Sequence, residues 1–244
     1  MSPSRTPDPT SDDDSSDEGT TAGTGSRRSN RNRPPLTRDR VVAAAVALAD
    51  GAGIGEVTMR KLAGACGVEP MSLYHHVANK DDVLDAMVDA VFAEMDLPDP
   101  ALAWRDALAR RSESARGVLV RHPWAISMLD SRTSPGPATL EHHDRTIEVL
   151  RRAGFSLEMV GHAVALLDAY VYGFAMQQVA LPFDDGPGAV EVADTIVAAL
   201  PQGAYPYLAE MAAQHVQRPG YDFADEFAWG LDVVLDGIAA RLDR

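Results

Sequence analysis

From Leu36 onward the apolar residues recur at spacings of three and four, and no stretch alternates strictly between apolar and polar. That pattern predicts helices throughout and an all-α fold. The first helix is expected to start at Thr37, a good N-cap, with Val41, Val42, Ala45, Leu48 and Ala49 as its buried stripe. The glycine-rich stretch 51–55 should end it. A second helix is expected after Thr58, with Leu62 and Ala63 on one face and Arg60 and Lys61 on its flank. Gly67 stands where that helix must stop, because glycine takes the left-handed conformation a C-terminal turn needs. Val68 is expected to be buried in the turn. A short third helix, 70–77, places Leu73 and Val77 inward and leaves Pro70, Met71, Ser72, Tyr74 and His75 on or near the outside.

Asn79 is a natural N-cap for a fourth helix reaching about residue 95, with Asp81 and Asp82 suiting the macrodipole at its start. Its apolar stripe is Val83, Leu84, Met87, Val88, Val91 and Phe92. Pro98 and Pro100 break the chain. Helices are then expected at 101–121 (Trp104, Leu108, Val118, Leu119 inside), briefly from Pro123, and at 138–153 (Leu140, Ile147, Val149, Leu150 inside). Ser156 should cap a long helix to about Leu181, broadly apolar through Val160, Ala163, Val164, Leu167, Tyr170, Val171 and Phe174. Two more helices follow at 190–200 and 205–216. The last, 222–242, carries Phe223, Phe227, Leu231, Val234, Leu235 and Ile238 on one side. The faces of 156–181 and 222–242 are wider than one core covers, so pairing with a second copy as a four-helix bundle is expected.

Composition changes the picture at the N-terminus. Residues 1–26 are rich in Ser, Thr, Asp, Gly and Pro, with almost no large apolar residue, and should be disordered. Arg27, Arg28, Arg31 and Arg33 follow, ahead of Pro34 and Pro35. This arm reads equally as a DNA-contacting segment or as a solubilising linker. The net charge of −14 is uneven: residues 81–244 hold 12 basic and 26 acidic residues, whereas 36–80 hold 5 and 4. Any contact with DNA is thus expected on the N-terminal face. No apolar run is expected to reach the length of a membrane span and no secretory leader is read, so a cytoplasmic protein is expected. The single cysteine, Cys66, excludes an internal disulfide and reads as a small buried hydrophobe.

Chemistry is sparse. No nucleophile elbow or phosphate loop occurs, and His142 and His143, adjacent on a helix, point about 100° apart and make a poor shared metal site. Neither an enzyme nor a cofactor is expected. The two short helices around Gly67 fit a DNA-reading pair, though such pairs also occur as plain corners of helical cores.

The run MRKLAGACGVEPMSLYHHVANKDDVLDAM resembles the DNA-binding segment of the TetR family of bacterial repressors, in its tetracycline-repressor branch. The shared features are an RKLA helix, a GV turn, an SLYHHV recognition helix and an NK opening the next helix. GFSLE at 154–158 resembles the ligand domain of the same branch. The resemblance implies a homodimer on a palindromic operator, released by a small molecule. The expected divisions are a tail at 1–35, a DNA-binding domain at 36–82, and a ligand-binding and dimerisation domain at 83–244.

Thr58, Arg60, Pro70, Met71, Ser72, Tyr74, His75 and Lys80 are the expected DNA-contacting residues, Lys80 matching the family's phosphate-contacting lysine. A pocket is expected among Trp124, Met128, His143, Leu150, Leu166, Tyr170, Phe174 and Gln177. The short helix here ends in Met128, Leu129 and Asp130, without the histidine by which the branch holds drug-bound magnesium. The expected inducer is therefore apolar or aromatic rather than a magnesium–tetracycline complex, and no metal-binding residue is assigned. The competing classes are a ligand-independent DNA-binding protein and an enzyme with an appended DNA-binding domain.

Overall fold

The structure, a computed structural model, describes residues 35–129, 131–183, 186–201 and 203–242. The arginine arm, all of the tail but Pro35, and Asp130 lie outside them. Among the described residues every regular element is helical. In order they are α1 (Arg38–Ala52), α2 (Met59–Cys66), α3 (Pro70–Leu73), α4 (Lys80–Glu94), α5 (Trp104–Arg121), α6 (Pro123–Ile126), α7 (Pro137–Arg152), α8 (Leu157–Ala180), α9 (Gly186–Ala199), α10 (Pro206–Met211) and α11 (Glu226–Ala239). Short 3-10 turns at Ile54–Glu56 and Phe223–Asp225 precede α2 and α11, and a π-helical turn, Ala212–Val216, continues α10.

The starts follow from local chemistry. The hydroxyls of Thr37, Thr58 and Ser156 accept from the amides of Arg40, Lys61 and Met159, and Asn79 accepts from Asp82, each bond closing the first turn of its helix. Ends are less local. The first helix runs on through Gly51 to Ala52 before Gly53 turns it at φ 86°.

α1, α2 and α3 pack with the first turns of α4 as a small head, with Val41, Ala45, Leu62, Ala63, Cys66, Leu73 and Val77 in its centre. α4 then continues into the rest, where it meets α5 and α7. α8 packs against α5, α6, α7 and α11. Its buried positions are Val160, Ala163, Leu167, Val171 and Ala175, a clean 3–4 stripe. α8 corrects one reading of the sequence: it is 24 residues long with a mean hydropathy of 1.3 in its most apolar window, enough by length and composition to cross a membrane. Asp168 interrupts the run to the eye, but Arg111 of α5 holds it at 2.8 Å. Only 28% of that window is buried within one chain, so much of the apolar surface of α8 faces outward.

α7 departs from expectation. Leu140 and Ile147 are exposed, and the buried face is Thr139, His142, Thr146, Val149 and Leu150. The core side of this helix therefore carries polar groups, each of which needs a partner. Thr146 donates to the His142 carbonyl, and Thr139 donates through both its amide and its hydroxyl to Asp89 of α4. Val68 is only half-buried.

Candidate DNA-reading head and ligand core

The turn between α2 and α3 is built by Gly67, at φ 68° and ψ 39°. Its amide donates to Gly64, and the amide of Val68 reaches back to Ala63 at 3.0 Å, satisfying carbonyls that the helix end would leave free. Arg40 of α1 donates to the Cys66 carbonyl at 3.1 Å and ties the same end to the head. Cys66 is buried, and burial pushes its thiol pKa up, which suits an inert packing residue.

α3 is shorter than the sequence suggests. Regular helix covers Pro70–Leu73, and Tyr74, His75 and His76 form a turn. The cause is a long-range clamp. Asp82, in the first turn of α4, accepts from the Ala78 amide at 2.8 Å and from both terminal nitrogens of Arg38 at 2.8 and 2.5 Å. Arg38 also donates to the His76 carbonyl at 3.3 Å. Side chains thus satisfy the backbone where a longer helix would have satisfied itself. Leu73 and Val77 are still buried, as the spacing requires.

The Arg38 hydrogen bonds hold the Asp82 carboxyl at about 2, against an ordinary value of 3.8. A carboxyl with a depressed pKa stabilises the fold above its unfolded value, and the contribution fades as pH falls from about 4 towards about 2. Asp82→Asn should lower the thermal midpoint by roughly 2–4 °C at pH 7, the shift of about 1 kcal/mol for a half-exposed pair in a chain this size. Thermal melts across pH should show the variant and the parent converging near pH 2; an unchanged gap there would contradict the assignment.

The outward side of the motif collects the residues that the sequence singled out. Met71 is 73% and Tyr74 46% exposed, and Thr58, Arg60, Pro70, His75 and Lys80 are also exposed. Ser72 is half-buried. Lys80 is the first residue of α4, beside the Asn79 cap.

The expected ligand residues do not gather in this way. Leu150 is fully buried core. Trp124 is buried and its indole donates to Asp50 of α1 at 2.7 Å, while Met128 is buried nearby in the chain after α6. Tyr170 and Phe174 stack with Phe227 and Phe223 beside α11, and the Tyr170 hydroxyl donates to the Phe227 carbonyl at 2.9 Å. His143 is exposed, with Nδ1 at 2.7 Å from the Thr139 carbonyl. Gln177 is exposed. Leu166 lies in an outer groove of about 300 Å³ between α8 and α11, with Met159 and Val233. One shared cavity for these eight residues is therefore not what the structure contains.

A larger cleft of about 840 Å³ opens between α1 and α4 and none of the eight lines it. Its wall includes His122, whose ring faces Asp50 of α1 at 2.7 Å through Nδ1 and Glu94 of α4 at 3.2 Å through Nε2. With Trp124 on the same Asp50 oxygen, this cluster joins the head to the region after α5. Sequence patterning does not show it because its bonded pairs are 28 to 74 residues apart. Among the described residues no group of three or more His, Cys, Asp or Glu could hold a metal ion.

Comparison with known proteins accounts for both halves. Residues 41–87 match the family of bacterial regulatory proteins of the tetR family, and residues 97–242 match the tetracyclin repressor-like C-terminal domain. An HTH-type transcriptional regulator of Saccharopolyspora erythraea is 34% identical, over 87% of this chain and 89% of the relative. The HTH-type transcriptional repressor DrrR1 of Streptomyces coeruleorubidus is 32% identical, over 88% and 82%. The TetR family protein ActR of Streptomyces coelicolor, solved in complex with actinorhodin, superposes with a TM-score of 0.69 at 26% identity, covering 86% of this chain and all of that one. These relatives carry the names of regulators, not of enzymes. The chain belongs to the TetR family of transcriptional regulators, with a helix-turn-helix head and a C-terminal region of the tetracycline-repressor type.

Proposed function

We propose that this protein is a homodimeric repressor that reads a palindromic operator through α3 and leaves it when a small apolar or aromatic molecule binds the C-terminal region. The observation that carries the reading is the outward display of Met71 and Tyr74 on the short helix α3 and the turn after it, whose inner residues, Leu73 and Val77, are buried. Met71 and Tyr74 lie close together on the outward side of the motif, where base edges or the sugar-phosphate backbone can cover them. A short helix so presented enters the major groove by its N-terminal end. In this reading residues 36–82 form the DNA-binding domain and 83–244 the ligand-binding and dimerisation domain. Thr58, Arg60, Pro70, Ser72 and His75 flank the contact, and Lys80 meets a phosphate.

The dimer face is proposed on α8 and α11. Leu157, Leu166, Met176 and Val179 of α8 and Trp229 and Val233 of α11 are all exposed in one chain. ActR, solved in complex with actinorhodin, supports a small-molecule ligand for this chain as well. Such a ligand weakens operator binding only if it favours the DNA-incompetent arrangement, and a hundredfold effect needs about 2.7 kcal/mol of coupling.

The phosphate role of Lys80 has a direct test. Lys80→Ala should weaken all DNA sequences alike and lower the slope of log K against log salt by about one per subunit, since one phosphate contact is lost. Titration of specific and scrambled duplexes across salt measures both. A sequence-selective loss, or an unchanged slope, would remove Lys80 from the interface.

A further inference from the structure

Buried polar atoms in folded proteins are almost always hydrogen-bonded, and one without a partner calls for an explanation such as a water or a ligand. Two such atoms lie on facing helices of the C-terminal region. Arg111 of α5 is 5% exposed; its Nη1 donates to Asp168 at 2.8 Å, and its Nε–H has no partner. His142 of α7 is 2% exposed; its Nε2 lies 3.0 Å from the Met95 carbonyl, and its Nδ1 has no partner. A carbonyl only accepts, so Nε2 carries the proton. Burial pushes the imidazole pKa down, with the charge of nearby Arg111 acting in the same direction, so the ring is neutral and Nδ1 is a bare acceptor. The pair thus offers one donor and one acceptor. Its net charge is zero, because Asp168 balances Arg111.

The surroundings are apolar. Phe92 lies 5.7 Å from the His142 ring, and Leu108 and Leu150 are fully buried on α5 and α7. Ser112 Oγ and Arg116 Nε on α5 also lack partners. They are turned about 100° and about 140° around the helix from Arg111, and Arg116 lies over the Phe227 ring instead. Arg111 and His142 are therefore taken together and apart from those two.

We propose that Arg111 and His142 form the polar end of the ligand site, and that the ligand placed there carries a neutral aryl hydroxyl. The hydroxyl donates to His142 Nδ1 and accepts from Arg111 Nε–H, so one group satisfies both atoms. An ether oxygen accepts but leaves Nδ1 unpaired. A carboxylate adds a negative charge beside Asp168 and brings no donor. The inference rests on the ligand-released reading above and adds to it the chemistry of the ligand and its route to the head. Neither residue lines the 840 Å³ or the 300 Å³ cleft described above; they stand on α5 and α7, which pack on each other, and the ligand enters between those two helices. Met95, the C-cap of α4, then moves with His142, and α4 begins at the DNA-reading turn.

The test uses the full chain and three probes of one ring system: 2-naphthol, 2-methoxynaphthalene and 2-naphthoate, by calorimetric titration at pH 7. The expected result is at least about tenfold tighter binding of 2-naphthol than of either analogue, the effect of one buried hydrogen bond left unmade. His142→Gln keeps an N–H for Met95 but removes the Nδ1 acceptor, and should erase the preference. If that variant fails to fold, the probes on the parent protein decide alone. Equal binding of 2-naphthol and the methyl ether, or no binding of 2-naphthol, overturns the proposal and leaves the repressor reading standing. Preferential 2-naphthol binding that never loosened DNA would do the reverse.

Discussion

On the proposed dimer face, replacing Val233 by aspartate should separate the protein into single chains and weaken palindromic operator binding about a hundredfold, or about 2.7 kcal/mol. Val233 is 52% exposed on α11 and lines the apolar groove shared with Met159 and Leu166 of α8. One turn earlier on α11, Trp229 is 70% exposed. A carboxylate there meets water in the single chain at little cost, but it would be buried unpaired against the symmetry mate, which no stable interface tolerates. Each head then binds its half-site alone, without the gain in effective concentration that the second head supplies. Sedimentation and operator titration on one preparation measure both effects. Leu231 gives the contrast. It lies on the apolar side of the last helix, yet it is 2% exposed inside one chain. A charge at Leu231 should therefore unfold the protein, visible as lost helicity, whereas Val233→Asp keeps its helical signal. A monomeric Val233→Asp protein with parental affinity for the full palindrome would contradict the dimer face.

Tyr74→Ala should cost about 1–3 kcal/mol of operator affinity, through loss of a base or phosphate contact, with no change in thermal midpoint. The separation of effects follows from position: Tyr74 is half-exposed at the end of α3, and the neighbouring Leu73 is fully buried. Leu73→Ala, in turn, should lose about 2–5 kcal/mol of stability by opening a cavity under the motif. Binding isotherms and melts on the two variants distinguish reading from packing. Equal operator affinity for Tyr74→Ala and the parent would place the contact elsewhere.

What could be read from the sequence was what depends on near neighbours. Thr37, Thr58, Asn79 and Ser156 cap helices because each cap needs only an amide three residues on. Gly67 turns left-handed because the chain must reverse there. The end of α3 was misplaced because Arg38 and Asp82, far away in sequence, decide it. On α7 the hydrophobic pattern favoured Leu140 and Ile147, but packing against α4, α5 and α8 chose the face with His142 and Thr146. The expected ligand residues do not share one cavity, for a related reason. Apolar periodicity marks every residue that leaves water and does not distinguish a cavity wall (none was shared here) from ordinary core or from a face awaiting a second copy. Arg111 carries a different kind of signal: it falls in register with Leu108, Ala115 and Val118 on the buried side of α5, where a charge needs a partner, here Asp168.

The most direct test is selection of duplexes from a random pool by the full-length protein, followed by measurement of how many chains each selected duplex binds. The account predicts an inverted repeat with half-site centres about 34–36 Å apart, one turn of DNA, carrying two chains. No enrichment, or an asymmetric site saturated by one chain, would contradict it.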